Sequence, residues 1–292
     1  MGKRPGCVKK TNFLIRKEKV MPTTGEKVRL NRLFSDGQNA VVVAIDHGLY
    51  FGPLPGMIDL SQVVDTIRGA DAILMAPGMA AHCSSVFERR GAPAMVLRLN
   101  FASNYLSNWS YSHSHSVPML SVAEAVAQGA DVVMASMTMQ NPDEKEDAQN
   151  IELLSRFINE KRALGIPLIG EVFPTGGDDA NPADLHEQVL IGCRISAELG
   201  VDAVKTFYTG EKFEEVTAGT PVPILALGAK KTEFERDALH LAASAVRAGA
   251  RGVVFGRNVV QARQPERFLE ALKEVVKEQA DPDETAARFG LE

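Results

Sequence analysis

Four ionisable residues stand late in short apolar runs of this chain. Asp46 ends the run VVVAID (41–46), Arg98 lies in AMVLRLN (94–100), Glu171 in PLIGEVF (167–173) and Lys205 in DAVKTF (202–207). Alternate residues of a strand point to opposite faces. On that count Asp46 shares a face with Val42 and Ala44, while Val41, Val43 and Ile45 take the other. Arg98 and Asn100 oppose Met95, Leu97 and Leu99; Glu171 goes with Phe173; Lys205 opposes Val204. In a closed barrel the four charged side chains meet in the lumen, where each costs several kcal/mol unless paired. Arg98 with Glu171 also fits a purely structural ion network. Lys205 points to chemistry, because a lumenal amine late in a strand can attack a substrate carbonyl. An ordinary lysine amine titrates at about 10.4 and is protonated near neutrality. A dry pocket and a neighbouring cation favour the free amine, and Arg98 is the candidate cation. Asp46 is placed to carry protons to and from the carbinolamine and the substrate hydroxyl.

A second set of residues suggests an anion site. The run 222–227 leads into Gly228, Ala229, Lys230, Lys231 and Thr232, and the run 251–256 leads into Gly256, Arg257 and Asn258. Thr232 and Glu235 have capping-box spacing, which predicts a helix start there. Loops after the last two strands of a barrel commonly hold a phosphate. Gly228 would let backbone N–H groups approach the ligand, with Lys230 and Arg257 beside it. The plainer reading makes Arg257 a structural arginine paired with an acidic loop.

The elements that must position these groups follow a repeated phrase: helix, Gly, small residue, often Asp, then an apolar strand. It reads Gly69-Ala70-Asp71, Gly129-Ala130-Asp131, Gly200-Val201-Asp202 and Gly249-Ala250-Arg251. Each Gly is expected to end a helix in a left-handed conformation. Eight strands are predicted, at 41–46, 71–76, 94–100, 131–136, 167–173, 202–207, 222–227 and 251–256. Helical patterns such as 185–199 and 234–249 separate most of them. That alternation predicts an α/β fold with a parallel sheet, and eight units favour a single (β/α)8 barrel over an open doubly wound sheet. No GxGxxG follows the first strand, which argues against dinucleotide binding. The barrel is assigned to residues 36–278, an N-terminal extension to 1–35 and a C-terminal helix or tail to 279–292. RLNRLF (29–34) is expected to be a short helix under the barrel.

A net charge of −5 argues against broad nucleic-acid binding, although Lys3, Arg4, Lys9, Lys10, Arg16, Lys17 and Lys19 make the N-terminus basic. Cys7, Cys83 and Cys193 are too dispersed for a disulfide framework, so a reducing cytoplasm is expected. No apolar stretch is long enough for a membrane span or a signal peptide. His47, His82, His113 and His115 raise the possibility of a metal-dependent enzyme, but their spacing defines no third rigid ligand. Neither metal nor cofactor is therefore expected. His186 and His240 lie in helical patterns; Met75, Met79, Met134, Met137 and Met139 follow strands as barrel packing. Trp109 and Tyr111 suit a lid or a subunit contact.

Taken in order, Ile45-Asp46-His47-Gly48, Asp202 to Tyr208, Pro221 to Ile224 with Gly228-Ala229-Lys230, and Gly256 to Gln261 resemble the DeoC/FbaB-type class I aldolase family. That family includes archaeal-type fructose-bisphosphate aldolase, aminodideoxyheptulosonate synthase and the LsrF-type thiolase. The resemblance covers roughly residues 28–290 and is most specific from 200 to 265. It implies a Schiff base at Lys205, acid–base work by Asp46, and phosphate binding by Gly228, Lys230, Gly256 and Arg257. It also implies a phosphorylated keto substrate and a homo-oligomer, often a decamer. Two departures stand out. Phe173 and Thr175 replace a tyrosine and an arginine common late in the fifth strand, and Ala229 replaces a glycine. Without that tyrosine, Glu171, His47 or water must move the proton. This leans away from plain fructose-bisphosphate cleavage, toward a biosynthetic relative or a thiolase acting with coenzyme A on a phosphorylated dione. An idle sugar-phosphate-binding barrel is the alternative from outside enzymology.

Overall fold

The computed structural model describes residues 22–106, 115–175 and 181–291. Cys7, the N-terminal basic run, Trp109, Tyr111 and His113 lie outside the described residues. The first five strands are β1 (Ala40–Ala44), β2 (Ala72–Met75), β3 (Ala94–Arg98), β4 (Asn100–Ala102) and β5 (Ser116–Pro118). They are followed by β6 (Val132–Met137), β7 (Leu168–Val172), β8 (Ala203–Phe207), β9 (Ile224–Leu227) and β10 (Gly252–Phe255). The helices are α1 (Thr24–Phe34), α2 (Gly48–Phe51), α3 (Leu60–Thr66), α4 (Val122–Ala127), α5 (Glu144–Leu164) and α6 (Pro182–Leu199). The remainder are α7 (Phe213–Gly219), α8 (Glu235–Arg247), α9 (Arg257–Val260), α10 (Pro265–Lys273) and α11 (Pro282–Phe289). Eight strands close a parallel barrel in the order β1-β10-β9-β8-β7-β6-β3-β2, and β4 pairs antiparallel with β5 above it. All eight predicted strands are present. Between β2 and β3 the chain makes only 3-10 turns, at Pro77–Met79 and Ser84–Val86.

Residue parity divides the core as the sequence predicts. Val41, Val43, Ile45, Leu97 and Val204 pack under the helices. Val42, Ala44, Leu74, Val96, Met134, Ile169 and Leu225 fill the lumen, with Leu33 of α1 closing it from below. Burying a leucine this fully contributes about 1.5–3 kcal/mol. α1 thus covers the bottom of the barrel, where a helix is expected from RLNRLF. Thr23 and Glu26 form a capping box at its start. Glu26 also meets Lys161 at 3.4 Å, and Lys161 lies 2.6 Å from Asp202 at the foot of β8. At the other end of the chain, α11 packs on α8 and α10 with Thr285 and Ala286 buried.

The repeated Gly-x-Asp phrase has a specific job. The Asp71 N–H donates to the Val41 carbonyl at 3.0 Å, and its carboxylate accepts the Val41 N–H at 2.7 Å. Asp131 grips Met95 in the same two ways, and Asp202 grips Leu168. Each carboxylate also holds a cation: Lys277 on Asp71, Arg32 on Asp131 and Lys161 on Asp202. In the fourth copy Arg251 instead donates to Asn39 and to the Gly37 carbonyl. Gly129, Gly200 and Gly249 are left-handed, with φ of 95°, 113° and 92°. Gly69 departs from the expectation: α3 stops at Thr66, and the turn into β2 is completed by an Ala70-to-Ile67 hydrogen bond.

Asp71→Ala is expected to lower unfolding free energy by about 1–3 kcal/mol, because it strips a buried N–H of its acceptor. Asp71→Asn should cost less, since its amide oxygen still accepts that N–H. Urea titration of the two variants checks the order.

Candidate active site

The apolar floor of the lumen supports a layer of charge. Arg98 ends β3, and Glu171 of β7 is the register partner of Lys205 on β8, so both point inward at one height. Asp46 lies just past β1. Arg98 Nε donates to Asp46 Oδ2 at 2.6 Å, and Arg98 Nη2 contacts Glu171 Oε2 at 2.8 Å. Glu171 Oε1 pairs directly with Lys205 Nζ. All four side chains are buried, and their two positive and two negative charges balance. For both carboxylates burial works against ionisation, but the cations outweigh it. Asp46 is lowered by Arg98 and then Lys205; Glu171 is brought to about 2 by the same two residues, helped by hydrogen bonds.

This arrangement brings together the four expected residues and corrects the role expected of Arg98. Its guanidinium is taken up by two carboxylates, so it is not a spare cation beside the amine. It is also sandwiched between rings, 5.4 Å from the centroid of Tyr50 and 5.5 Å from that of Tyr105. The first polar neighbour of Lys205 is instead a carboxylate.

Tyr105 is the residue that sequence reasoning missed. Its hydroxyl donates to Glu171 Oε2 at 2.5 Å, and its ring lies 4.6 Å from Tyr50 and 4.1 Å from Phe173. Burial, then the charge of Glu171, pushes its pKa well above the usual tyrosine range, so the phenol keeps its proton. Asn100 explains how it gets there. Its side-chain amide accepts the Ser136 N–H at 2.8 Å and donates to the Ser136 carbonyl at 2.9 Å, continuing the β3–β6 ladder with a side chain. It also donates to Ser116 on β5 at 2.7 Å. The β4–β5 pair is thereby fixed over the barrel mouth, and the turn after β4 lowers Tyr105 onto the charged layer. The only sequence signal was a polar Asn100 on the face of Arg98.

His47 sits beside this layer, with Nδ1 3.8 Å from Asp46 and no hydrogen-bond partner there. Burial lowers its pKa to about 4; Asp46 opposes the shift, while Arg257, Lys205 and Arg98 reinforce it. The imidazole is therefore neutral near neutrality. Gly256 is required by this placement: a Cβ there would lie 2.3 Å from His47 Cε1 and 2.7 Å from the Ala44 carbonyl oxygen.

The two loops after β9 and β10 are tied to each other. Asn258 Nδ2 donates to the Gly228 carbonyl at 2.8 Å, and Asn258 Oδ1 accepts the Thr232 N–H at 2.9 Å. Arg257 Nη2 donates to the Ala229 carbonyl at 2.7 Å. The N–H of Gly228 is already bonded to Val254, and its missing Cβ makes room for the Phe255 ring, so its need for glycine is one of packing. Ala229 occupies the left-handed region at φ 50°, where glycine is the commoner residue. Lys230 is exposed. The expected capping box does not form. Thr232 donates to the Phe234 carbonyl, Glu235 accepts the Arg263 N–H, and α8 begins at Glu235.

The other histidines have local roles or none here: His186 meets Thr209 and Glu215, His240 meets Asp283, and His82 and His115 are exposed. Among the described residues no three His, Cys, Asp or Glu side chains converge on a metal position. Nor is any helix among them long and apolar enough to cross a membrane.

A (β/α)8 barrel with a lysine among carboxylates in the C-terminal half of its lumen has the architecture of a Schiff-base, class I aldolase. The chain belongs to the DeoC/LacD family aldolases, which it matches over residues 40–262. It is 33% identical over 262 residues to an uncharacterized aldolase of Saccharolobus solfataricus, covering 88% of this chain and 96% of that one. It is 31% identical over 255 residues to the 3-hydroxy-5-phosphonooxypentane-2,4-dione thiolase of Yersinia pseudotuberculosis, covering 86% and 82%. Among solved structures it resembles an archaeal fructose-1,6-bisphosphate aldolase with its catalytic lysine bound as the carbinolamine. The TM-score is 0.74 at 30% identity, over 86% of this chain and 99% of that one.

A half-buried, neutral histidine makes folding sensitive to acid. The unfolded chain protonates His47 near its ordinary 6.5, the folded one only near about 4. Between those values stability should fall with pH, by at most about 1.4 kcal/mol per unit from this group. His47→Gln should flatten that part of the slope in urea midpoints measured across the window.

Proposed function

We propose that Lys205 is the Schiff-base amine of this aldolase and that its substrate is a small phosphorylated ketone. The observation that carries the reading is the direct pairing of Lys205 with Glu171 inside a balanced, buried charge cluster. The other buried lysine among the described residues, Lys161, serves Asp202 at the opposite end of the strand. The ammonium proton leaves past Glu171 to His47 or water, and the free amine adds to the substrate carbonyl. The carbinolamine hydroxyl leaves as water with a proton relayed through Asp46 or His47. In the cleavage direction the iminium accepts the electron pair of the adjacent carbon–carbon bond. A carboxylate or the His47 imidazole removes the hydroxyl proton of the departing carbon, and an aldehyde leaves. The enamine is then protonated and the iminium hydrolysed. Tyr105 acts through Glu171, holding Oε2 so that Oε1 faces the amine. The loops with Gly228, Ala229 and Lys230, and with Gly256 and Arg257, take the phosphate end. The same reading makes the enzyme a cytoplasmic homo-oligomer.

Phe173 favours a second reading, acyl transfer from a phosphorylated dione to coenzyme A through Lys205. A phenyl ring at that strand end moves no proton, and one relative in the comparison is a thiolase.

Incubation with dihydroxyacetone phosphate followed by borohydride should add the reduced adduct's mass at Lys205. Lys205→Met should lose both the adduct and turnover; an adduct elsewhere, or none, refutes the assignment. Glu171→Gln should reduce turnover by about 100-fold, and full turnover with an unchanged pH profile would exclude Glu171 as a base. Thioester formation from a phosphorylated dione and coenzyme A, without aldol turnover, selects the second reading.

A further inference from the structure

The barrel mouth has two unlike sides. The loops after β9 and β10 bring Lys230, Lys231 and Arg257. Over the ends of β8, β7, β3 and β1 an unbroken line of rings runs above the charged layer. Phe207 meets Phe173 at 5.3 Å, Phe173 meets Tyr105 at 4.1 Å, Tyr105 meets Tyr50 at 4.6 Å and Tyr50 meets Phe101 at 5.5 Å. Leu49, Phe51 and Leu106 extend the same cluster. Phe173 and Phe207 stand two residues beyond Glu171 and Lys205 on their own strands, on the lumenal face. A substrate carbon chain leaving the amine in that direction therefore meets rings first.

The charge pattern of the chain agrees. Residues 45–66, 99–144 and 173–193, which follow β1, β3 and β7, contain no lysine or arginine. The cation that does lie under the rings, Arg98, is engaged by Asp46 and Glu171. A second phosphate over the rings would lie above two carboxylates, and the segments that follow β1, β3 and β7 offer no lysine or arginine to receive it. Desolvating an unpaired phosphoester there is costly, whereas an apolar group gains area against the rings.

We propose that the enzyme handles a substrate with a single phosphate, and that its aldehyde partner is uncharged and apolar, seated on the ring line from Phe207 to Phe101. This deepens the Lys205 reading and rests on it. The reaction balances without a further reactant. The donor ketone gives up a carbon-bound proton as its Lys205 enamine forms. The enamine carbon bonds to the aldehyde carbon, the aldehyde oxygen takes a proton, and hydrolysis frees the amine; nothing is oxidised or reduced.

The test uses the full chain, with dihydroxyacetone phosphate as donor. Acceptors are glyceraldehyde 3-phosphate, unphosphorylated glyceraldehyde, butanal and benzaldehyde. Expected is a kcat/KM for butanal or benzaldehyde at least tenfold above that for glyceraldehyde 3-phosphate, on the order of one lost aromatic contact plus area. Phe173→Ala should narrow that ratio about tenfold, and its borohydride adduct with the donor alone should still form at Lys205. That adduct is the control for folding and for the underlying reading. If it forms and the phosphorylated aldehyde is preferred, if no apolar aldehyde reacts, or if Phe173→Ala leaves the ratio unchanged, the single-phosphate inference is overturned and Lys205 stands. If no adduct forms in the wild-type protein, both fall together.

Discussion

Charge balance inside a dry lumen is the condition that the rest of this architecture serves. Asp46, Arg98, Glu171 and Lys205 occupy a space closed below by aliphatic side chains and covered by tyrosine rings. Removing one member of such a set leaves an uncompensated buried charge, which typically costs about 3–5 kcal/mol. Arg98 and Glu171, at the centre of the set, are each held by more than one neighbour. Glu171 alone receives contacts from Arg98, Lys205 and Tyr105. The same balance couples chemistry to structure. A change in the charge of any one member therefore disturbs the balance of the other three.

Much of this was legible in the sequence, because the strand period is two and the lumen tolerates few residue types. Parity alone placed Asp46, Arg98, Glu171 and Lys205 in one layer and Val204 among the helices. What parity could not reveal were contacts made by segments outside the ring. Tyr105 reaches Glu171 from a turn whose position depends on β4 and β5, and nothing local to Tyr105 encodes that. Local pattern misled at Thr232 and Glu235. Their spacing suits a capping box, but Asn258 and Arg263 claim the Thr232 N–H and the Glu235 carboxylate from across two loops. Gly228 misled similarly, since a ring of β10, rather than a ligand, needs its empty position.

A common device runs through these cases: a side chain does the work of a backbone strand. Asn100 extends the β3–β6 ladder where the main chain turns away, and Asp71, Asp131 and Asp202 grip the feet of the neighbouring strands. Asn258 laces two loops by the same means. Short strands of four to six residues leave many main-chain groups unserved at the rims of the barrel. Polar side chains with amide-like or carboxylate geometry meet that need without lengthening the strands into the site.

The seam of the ring has a consequence for biosynthesis. β1 closes against β10, and Asn39 donates to the Val276 carbonyl. β1 pairs on one side with β2, but its other side is completed only by residues 252–255. Until position 255 has left the ribosome, β1 is an open edge carrying three consecutive valines, Val41 to Val43. Such an edge is prone to pairing with another chain.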